Sequence, residues 1–300
     1  MEKIGFIGLG IMGAPMATNL CKKGYIPAVN DLNPAAVQRL TALGARSMSL
    51  RELGASCDVV FTILPNGPIV DSVLFGADGV SGTMKPGSLV VDMSSVTPEQ
   101  SASFAERLAQ RKIGFLDAPV SGGEPKAIDG TLAFMVGGSE ADFQRAEPYF
   151  NAMGASWLRV GGCGCGSIAK LANQIIVNLN IAAVSEALVL ATKAGADPER
   201  VYLAIRDGLA GSAVLDAKAP MMLARSFVPG GKISINLKDI KNVMASAHAL
   251  DVPLPMTAQL LEIMQSLKVG GHLDDDHSGI VQYFENLAGI HVKAGGMEAE

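Results

Sequence analysis

Aromatic residues, charges and cysteines are all scarce in this chain of 300 residues. Aromatic residues make up 5% of it and charged residues 18%, whereas 49% of the residues are hydrophobic. The chain carries 24 basic and 29 acidic side chains, which gives a formal net charge of −5, and the sequence shows no basic stripe. Binding to nucleic acid or to an anionic membrane depends on such a stripe. The sequence therefore predicts neither a nucleic-acid partner nor a membrane partner.

The four cysteines and four histidines lack the spacing of a disulfide framework or of a metal site. Cys163 and Cys165 are separated by one residue, and the second pair of ligands that zinc requires is missing. The acidic run Asp274–His277 lacks the spacing of a metal-binding loop, so we expect it to be a solvated helix start. We predict no metal site, and small unpaired thiols in a reducing cytoplasm.

Long uninterrupted hydrophobic runs are also missing. Residues 4–18 are apolar, but glycines and Pro15 interrupt them, and the preceding Lys3 lies beside Glu2, which argues against a secretory signal. The most apolar segment, residues 175–191, contains two asparagines, a serine and a glutamate, which argues against a membrane span. These features predict a cytoplasmic protein.

A glycine pattern does stand out near the start of the chain, at the end of a short β-rich run. Gly8, Gly10 and Gly13 follow this run, and a helical pattern begins at once. Gly8 would permit a tight turn, Gly10 a close approach of the backbone to a pyrophosphate, and Gly13 close packing of the helix against the strand. Helix N-termini present N–H groups to phosphates. The predicted pyrophosphate-binding residues are Gly8, Gly10, Ile11, Met12 and Gly13.

An acidic residue follows at the distance that dinucleotide sites require. Asp31 ends a second strand candidate, residues 26–30, and lies 18 residues after Gly13. A carboxylate at this position can accept a hydrogen bond from a ribose 2′-hydroxyl. Because Leu32 follows and the nearest downstream arginine is Arg39, a 2′-phosphate would meet a negative charge without a cation beside it. The sequence therefore predicts a dinucleotide site that prefers NAD(H) over NADP(H).

Strand and helix patterns alternate through the first half of the chain. The helical patterns include residues 98–111 and 139–153. The strand candidates are residues 3–8, 26–30, 59–64, 89–92, 114–116, 132–136 and 157–160. Such alternation predicts a mostly parallel sheet with helices on both faces, in which the last strands can run antiparallel at one edge.

Strand patterns almost cease at the glycine-rich segment Gly161–Gly166. The helical patterns beyond it cover residues 167–194, 198–208, 212–225, 236–250, 255–269 and 276–287. We predict an α/β protein with an N-terminal Rossmann-type, doubly wound sheet domain over residues 1–162. An all-α C-terminal domain over residues 163–300 would follow and begin with a long helix. The apolar helices and the 14 methionines also predict a homo-oligomer, either a dimer or a tetramer.

The long helix carries a row of polar residues on an otherwise apolar background. Lys170, Asn173, Gln174 and Asn178 share one helix face, and residues 171–185 contain no charge, so we expect the helix to be largely buried. A buried amide without a partner costs about 1–3 kcal/mol, so these side chains need partners. Two interpretations stay open at this point: a ligand-binding face, or contacts with solvent or with neighbouring helices.

A second polar segment, residues 117–124, follows a strand candidate, which is where doubly wound folds place ligand loops. Ser121 and the backbone amides of Gly122 and Gly123 can form a small cradle for an anion such as a carboxylate. The alternative is a plain glycine turn.

Two further strand ends can border a cofactor crevice. They are Leu64–Asn66 and Asp92–Thr97. Ser94 or Thr97 can equally be the N-cap of a helix that begins at Pro98.

Taken together, these segments resemble the β-hydroxyacid dehydrogenase family over nearly the whole chain. The matching segments are Gly5–Gly13, Asp92–Ser95, Asp117–Gly123 and Gly166–Asn173. The resemblance implies an oxidoreductase that transfers a hydride between NAD(H) and a small 3-hydroxy or 3-oxo carboxylic acid. Residues 122–131 and 208–220 favour tartronate semialdehyde as the substrate, with reduction to glycerate. The substrates 3-hydroxyisobutyrate and 2-(hydroxymethyl)glutarate stay open.

The resemblance also implies individual roles. Lys170 would be the catalytic acid–base. The substrate, a small carboxylate-bearing aldehyde or alcohol, would be bound by Ser121, Gly122, Gly123, Asn173 and Gln174. The nicotinamide cofactor would be lined by Leu64, Pro65, Ser95 and Lys238. The chain departs from the family at Gln174, where many members carry Asn, and at Gly231, where many carry a bulky residue.

Two alternatives compete with a carbonyl reductase. A cofactor-binding scaffold without turnover would explain the glycine pattern, but not the polar helix face together with an anion cradle. A reductase of imines would have less need of the proton that Lys170 can supply.

Overall fold

The structure is a computed structural model that describes residues 2–295. It divides into two compact units, with the boundary after Lys170. The first unit holds every named strand of the described chain, and the second is helical. This arrangement confirms the predicted fold class, a Rossmann-type sheet domain followed by an all-α domain.

The first unit alternates strands and helices. Its strands are β1 (Ile4–Ile7), β2 (Ala28–Asn30), β3 (Arg46–Ser47), β4 (Val59–Thr62), β5 (Leu89–Asp92), β6 (Gly114–Asp117), β7 (Val120–Ser121), β8 (Leu132–Gly138) and β9 (Gly154–Gly161). Its helices are α1 (Gly13–Lys22), α2 (Pro34–Thr41), α3 (Leu50–Ser56), α4 (Gly67–Phe75), α5 (Pro98–Ala109), α6 (Gly123–Asp129) and α7 (Glu140–Met153), with a 3₁₀ turn at Val80–Gly82.

One sheet contains all of these strands, in the order β3-β2-β1-β4-β5-β6-β8-β7, with β9 paired to β8. The strands from β3 to β6 are parallel. Strand β8 runs antiparallel to β6 and β7, and β9 runs parallel to β8. The reversal at this edge confirms the expectation for the late strands. The two-residue strands β3 and β7 were not predicted.

The side chains of the central strands point alternately to the two faces of the sheet, and each face has its own hydrophobic core. Phe6, Phe61 and Val91 face one core, while their neighbours Ile7 and Val60 face the other. Strand side chains alternate between faces, so helices are needed on both sides to exclude water. All five of these side chains are at most 2% exposed.

The helix that begins at Pro98 shows which of Ser94 and Thr97 is its N-cap. Thr97 is the N-cap of α5, and it forms a capping box with Gln100. Ser94 is not the cap, and its hydroxyl is used in the loop between β5 and α5 as described below. Pro98 occupies the first helical turn, where its missing N–H costs nothing.

The cysteines are free thiols within the described chain. Cys57 is buried, and Cys21, Cys163 and Cys165 are half-buried. Burial raises the pKa of Cys21 and Cys57, and burial together with the Asp117 carboxylate raises the pKa of Cys163 to about 12.

The second unit is built around helix α8 (Cys165–Lys193), whose first turns belong to the first unit. The other helices are α9 (Pro198–Ile205), α10 (Ala213–Leu223), α11 (Ile233–Ala249), α12 (Pro255–Val269) and α13 (Val281–Ala288), and a 3₁₀ helix at His277–Ile280 precedes α13. Side chains such as Ile181, Leu188 and Met222 form the core of this unit and are at most 1% exposed.

Helix α8 is less buried than its uncharged sequence predicts. By length and composition alone it could cross a membrane, a criterion that the core helix of a soluble protein also meets. Within its most apolar window 44% of the residues are buried. Ile176 and Leu190 are 67% and 71% exposed, so one apolar face of the helix lies outside the core.

Candidate active site

The carboxyl ends of four parallel strands form one row. Ile7 of β1 pairs with Thr62 of β4, Thr62 with Asp92 of β5, and Asp92 with Asp117 of β6. The loops that leave this row therefore begin side by side at one edge of the sheet. In open α/β sheets, ligands bind at this edge, at the point where the strand order reverses, which here lies between β1 and β4.

The glycine loop has the conformation that its sequence predicts. Gly8 has a φ of +96°, and a Cβ there would lie 2.2 Å from the carbonyl oxygen of Ile63. A Cβ on Gly13 would lie 1.9 Å from the carbonyl oxygen of Gly8, so close packing requires glycine. A Cβ on Gly10 would meet nothing within 4 Å. Gly8 and Gly13 thus shape the loop, whereas Gly10 leaves an open space beside the backbone.

Helix α1 begins directly behind this space. Met12 is its N-cap residue and supplies no side-chain cap, and Ile11 beside it is 50% exposed. The first N–H groups of a helix have no intrahelical acceptor, and the helix dipole adds partial positive charge there. The loop and helix start therefore offer open space and N–H groups at a helix N-terminus, and the binding of a pyrophosphate there stays a prediction.

Asp31 is held in place by the backbone on either side of it. Its Oδ2 accepts a hydrogen bond from the Leu9 N–H at 2.5 Å, and its Oδ1 accepts one from the Asn33 N–H at 2.7 Å. Leu32, the next residue, is fully exposed. The carboxylate therefore links the glycine loop to the end of β2, a structural role that the sequence did not indicate.

The loop after β4 is fixed by a chain of polar contacts. The Ser94 hydroxyl accepts a hydrogen bond from the Leu64 N–H at 2.8 Å and donates one to Asp92 Oδ1 at 2.5 Å. The Thr62 hydroxyl donates to the same oxygen at 2.7 Å. Leu64 is thereby held next to the row of strand ends. Pro65 follows it, exposed, and Ser95 follows Ser94, half-buried.

Asp92 is buried, with 1% of the residue exposed. Burial raises its pKa to about 6, and the neighbouring Asp117 carboxylate adds to the rise, while hydrogen bonds from Ser94 and Thr62 oppose it. Burying a carboxylate disfavours its charged form. The sequence places Asp92 in a segment that can border a cofactor crevice but indicates no role for it. An acidic residue that ends an otherwise apolar strand is the signal that could have identified it.

Lys170 lies against the predicted anion cradle. Its Nζ donates a hydrogen bond to the carbonyl oxygen of Val120 at 2.8 Å. Val120 directly precedes Ser121, and Gly122 and Gly123 follow with φ values of +138° and +69°. Positive φ at two successive residues is readily adopted by glycine alone. The first unit thus brings the predicted catalytic amine to the residue next to the predicted carboxylate site.

Asp117 connects the same segment to the start of α8. Its Oδ1 accepts the Gly164 N–H at 2.8 Å and its Oδ2 accepts the Ser167 N–H at 2.7 Å. Burial raises the pKa of Asp117, and these N–H groups oppose the rise. The sequence indicates no role for Asp117, because its partners lie about 50 residues away.

In the second unit, one polar cluster contains the other predicted residues. Gln174 is 6% exposed, and its Nε2 donates to Asp239 Oδ2 at 2.6 Å and to Asn236 Oδ1 at 3.3 Å. Its Oε1 accepts a hydrogen bond from Asn173 at 2.9 Å. Lys238 Nζ lies 3.0 Å from Asp239 Oδ1. Contacts between helices, one of the two open interpretations, therefore describe Gln174, while its part in substrate binding stays a prediction.

The acidic run near residue 275 differs from the solvated helix start that we expected. Asp276 is fully buried, and its carboxylate accepts hydrogen bonds from Lys218 Nζ at 2.8 Å and from the N–H groups of Gly230, Gly231 and Ser278. It was misjudged because its donors are distant in sequence. Among residues 2–295, no group of three or more His, Cys, Asp or Glu side chains is placed to hold a metal ion.

Comparison with known proteins covers nearly the whole chain. Residues 3–163 match the family described as the NAD binding domain of 6-phosphogluconate dehydrogenase. Residues 164–284 match the family described as NAD-binding of NADP-dependent 3-hydroxyisobutyrate dehydrogenase. Both descriptions agree with the cofactor features of the glycine loop.

Individual relatives agree with these matches. The chain is 45% identical to 2-hydroxy-3-oxopropionate reductase of Escherichia coli (strain K12), over 95% of this chain and 98% of that protein. It is 37% identical to 2-(hydroxymethyl)glutarate dehydrogenase of Eubacterium barkeri, over 98% of each. The crystal structure of a 3-hydroxyisobutyrate dehydrogenase from Salmonella typhimurium superposes with a TM-score of 0.84 at 32% identity, covering 94% of this chain and 99% of that one. The chain is therefore an NAD(P)-binding oxidoreductase of the β-hydroxyacid dehydrogenase family.

Proposed function

We propose that this protein reduces tartronate semialdehyde to glycerate with NADH. The observation that carries the proposal is the contact of Lys170 Nζ with the Val120 carbonyl, 2.8 Å away and one residue from the anion cradle. The 45% identity to a 2-hydroxy-3-oxopropionate reductase favours this substrate within the family. The alternative substrates 3-hydroxyisobutyrate and 2-(hydroxymethyl)glutarate correspond to more distant relatives.

Different residues of the first unit bind the substrate and the cofactor. The Ser121 hydroxyl and the amides of Gly122 and Gly123 hold the substrate carboxylate. Leu64, Pro65 and Ser95 lie at the row of strand ends and line the nicotinamide. Fixing both reactants removes much of the entropic barrier to their reaction. Bound NADH supplies the hydride.

Lys170 supplies the proton. Negative charge develops on the carbonyl oxygen of the substrate, and the ammonium group stabilises it and donates a proton to it. In the reverse direction the amine must be neutral to accept this proton. The Val120 carbonyl holds the amine beside the cradle, so that the proton is available where the substrate is bound. For Asn173, Gln174 and Lys238 of the second unit, roles in binding substrate or cofactor are proposed from the family resemblance alone.

The cofactor is proposed to be NADH rather than NADPH. Asp31 presents a carboxylate where the adenosine ribose is expected, and the fully exposed Leu32 beside it offers no cation for a 2′-phosphate. Values of kcat/KM measured with the two cofactors test this preference. Equal values would contradict it.

A substrate panel tests the activity. NADH oxidation is compared with tartronate semialdehyde, methylmalonate semialdehyde and succinate semialdehyde, and we expect the highest kcat/KM for the first. A higher kcat/KM for methylmalonate semialdehyde would instead identify the protein as a 3-hydroxyisobutyrate dehydrogenase. No turnover with any short 3-oxo acid would favour the scaffold without catalysis.

The variant Lys170→Met tests the mechanism. General acid catalysis contributes about 10²–10⁴-fold, so kcat should fall by that factor while NADH still binds. Lys85→Met is the matched control, because Lys85 is exposed and remote from the strand ends. A folded Lys170→Met protein that retains most of its turnover would overturn the assignment.

The proposal includes a cytoplasmic homo-oligomer, a dimer or a tetramer. The exposed face of α8 with Ile176 and Leu190 supports it, as does the adjacent Leu287 of α13, which is 71% exposed. Contiguous exposed apolar patches are typical of interaction surfaces, which is the physical basis of this part of the proposal. Light scattering after gel filtration should give a multiple of 31.1 kDa, and Leu190→Glu should lower it. A monomer at micromolar concentration would contradict this part.

A further inference from the structure

One short segment contacts both the start of α8 and the amine that α8 carries. Asp117 binds the first turn of the helix through two N–H groups, and Val120 accepts the hydrogen bond from Lys170. Ser121 and the two glycines of the proposed carboxylate cradle come next. One stretch of seven residues, 117–123, therefore contacts the helix start and the amine and also contains the cradle.

The contacts of Asp117 with the helix are direct and enclosed. Asp117 is 1% exposed, and its two carboxylate oxygens lie 2.8 Å and 2.7 Å from the backbone nitrogens of Gly164 and Ser167. Hydrogen bonds to a carboxylate are roughly twice as strong as those between neutral groups. The negative charge also lies at the positive end of the helix dipole.

Two glycines allow this close approach. A Cβ on Gly166 would lie 2.3 Å from the carbonyl oxygen of Asp117, and a Cβ on Gly137 would lie 2.4 Å from its Oδ1. The backbone of α8 is therefore packed onto Asp117 with no room for a side chain between them. Such packing leaves the first turn of the helix little freedom to shift.

We propose that Asp117 is the positioning residue for Lys170. It fixes the backbone of the first turn of α8, and Lys170 is three residues beyond the anchored Ser167, within one turn of helix. Without the anchor, the turn can shift, and the amine loses its place beside Val120 and the cradle. This inference rests on the proposed role of Lys170 as the proton donor.

A double-mutant cycle of Asp117→Asn and Lys170→Met separates this role from a general structural one. Asparagine has nearly the same shape, but it loses the charge and can accept at one of the two positions only. Displacing a reacting group by about 1 Å can cost about 100-fold in rate. We expect Asp117→Asn to lower kcat by about 10- to 100-fold in the wild-type background, with the Kd for NADH within about threefold of the wild-type value.

In the Lys170→Met background, Asp117→Asn should change the residual rate by less than about twofold, because the group that it positions is gone. An equal loss in both backgrounds would show that Asp117 does not act through Lys170. Unchanged kcat in the single Asp117→Asn variant would also overturn the inference. If Lys170→Met by itself leaves turnover unchanged, it is the proposed function that fails, and the two failures are thus distinguishable.

The matched control is Ser101→Ala. The Ser101 hydroxyl contacts the Ser167 hydroxyl at 2.9 Å, so its removal disturbs the same helical turn without touching the backbone anchor. We expect kcat to stay within about twofold of the wild-type value. If Asp117→Asn does not fold, Gly166→Ala gives the same test from the helix side, because its Cβ would push the turn away from Asp117. A loss in Gly166→Ala that persists unchanged beside Lys170→Met would again refute the inference.

Discussion

The Asp31 carboxylate supports the glycine loop and is expected to select the cofactor, and Asp31→Ala tests both roles. The substitution removes the acceptor of the Leu9 N–H at 2.5 Å and of the Asn33 N–H at 2.7 Å. Hydrogen bonds to charged groups contribute about 1.5–3 kcal/mol each when buried. Asp31 is half-buried and solvent can replace part of the loss, so we expect the free energy of unfolding to fall by about 2 kcal/mol.

Urea unfolding measures this change within the first unit. Trp157 is the chain's one tryptophan and lies in β9, so its fluorescence reports on the sheet domain. The matched control is Asp78→Ala, because Asp78 is 83% exposed and 3.9 Å from its partner Arg51. Exposed ion pairs contribute about 0–1 kcal/mol, so the control should unfold almost like the wild type.

Cofactor titration of the same variant measures selectivity. NADH should bind at least about tenfold more weakly, because a ribose acceptor is lost and the loop is loosened; this corresponds to about 1.4 kcal/mol. The affinity for NADPH should fall by less, since the carboxylate that repels its 2′-phosphate is gone. An unfolding curve identical to that of the wild type would refute the structural role. An unchanged NADH-to-NADPH affinity ratio would refute the selective one.

Substitutions at three further places, the glycine loop, Asp92 and the Lys218–Asp276 ion pair, have defined outcomes. Gly10→Ala should leave the urea midpoint unchanged, since nothing lies within 4 Å of the new Cβ, and should weaken NADH binding in calorimetry, whereas Gly8→Ala should destabilise the fold. Burial raises the pKa of Asp92 to about 6 from 3.8, so the folded protein retains a proton that the unfolded chain releases, and stability falls as pH rises through this window. Asp92→Asn should remove that fall, on the order of 3 kcal/mol between pH 4 and pH 7, and a constant difference from the wild type at both pH values would contradict the reasoning. Lys218→Met should lower the free energy of unfolding, measured by circular dichroism, by about 3 kcal/mol, because it leaves the buried Asp276 carboxylate without its cation. Adding Asp276→Asn should recover part of this loss of stability.

Local patterns in the sequence predicted most of the fold. Helix α12 begins and ends at the predicted residues, and α8 runs over Cys165–Lys193 where residues 167–194 were expected. The glycine loop was equally accessible, because the steric needs of Gly8 and Gly13 arise from neighbours at the same strand end. Strands β3 and β7 have two residues each, which is too short for any periodicity to appear.

Contacts between distant residues could not be predicted. Asp117 receives N–H groups 47 and 50 positions away, and Asp276 receives Lys218 from 58 positions away. Neither carboxylate has a local pattern that reveals its donors, so one received no role and the other was assigned to solvent. The partners of Gln174 on α11 were hidden for the same reason.

The buried and half-buried thiols have a practical consequence for labelling. Thiolates, not thiols, react with alkylating reagents, and the raised pKa values of Cys21, Cys57 and Cys163 keep these side chains protonated at neutral pH. A cysteine introduced at Leu209, which is fully exposed, should therefore react with a maleimide well before these three native thiols. A dye could then be attached at one chosen position once the fourth native thiol, Cys165, has been replaced.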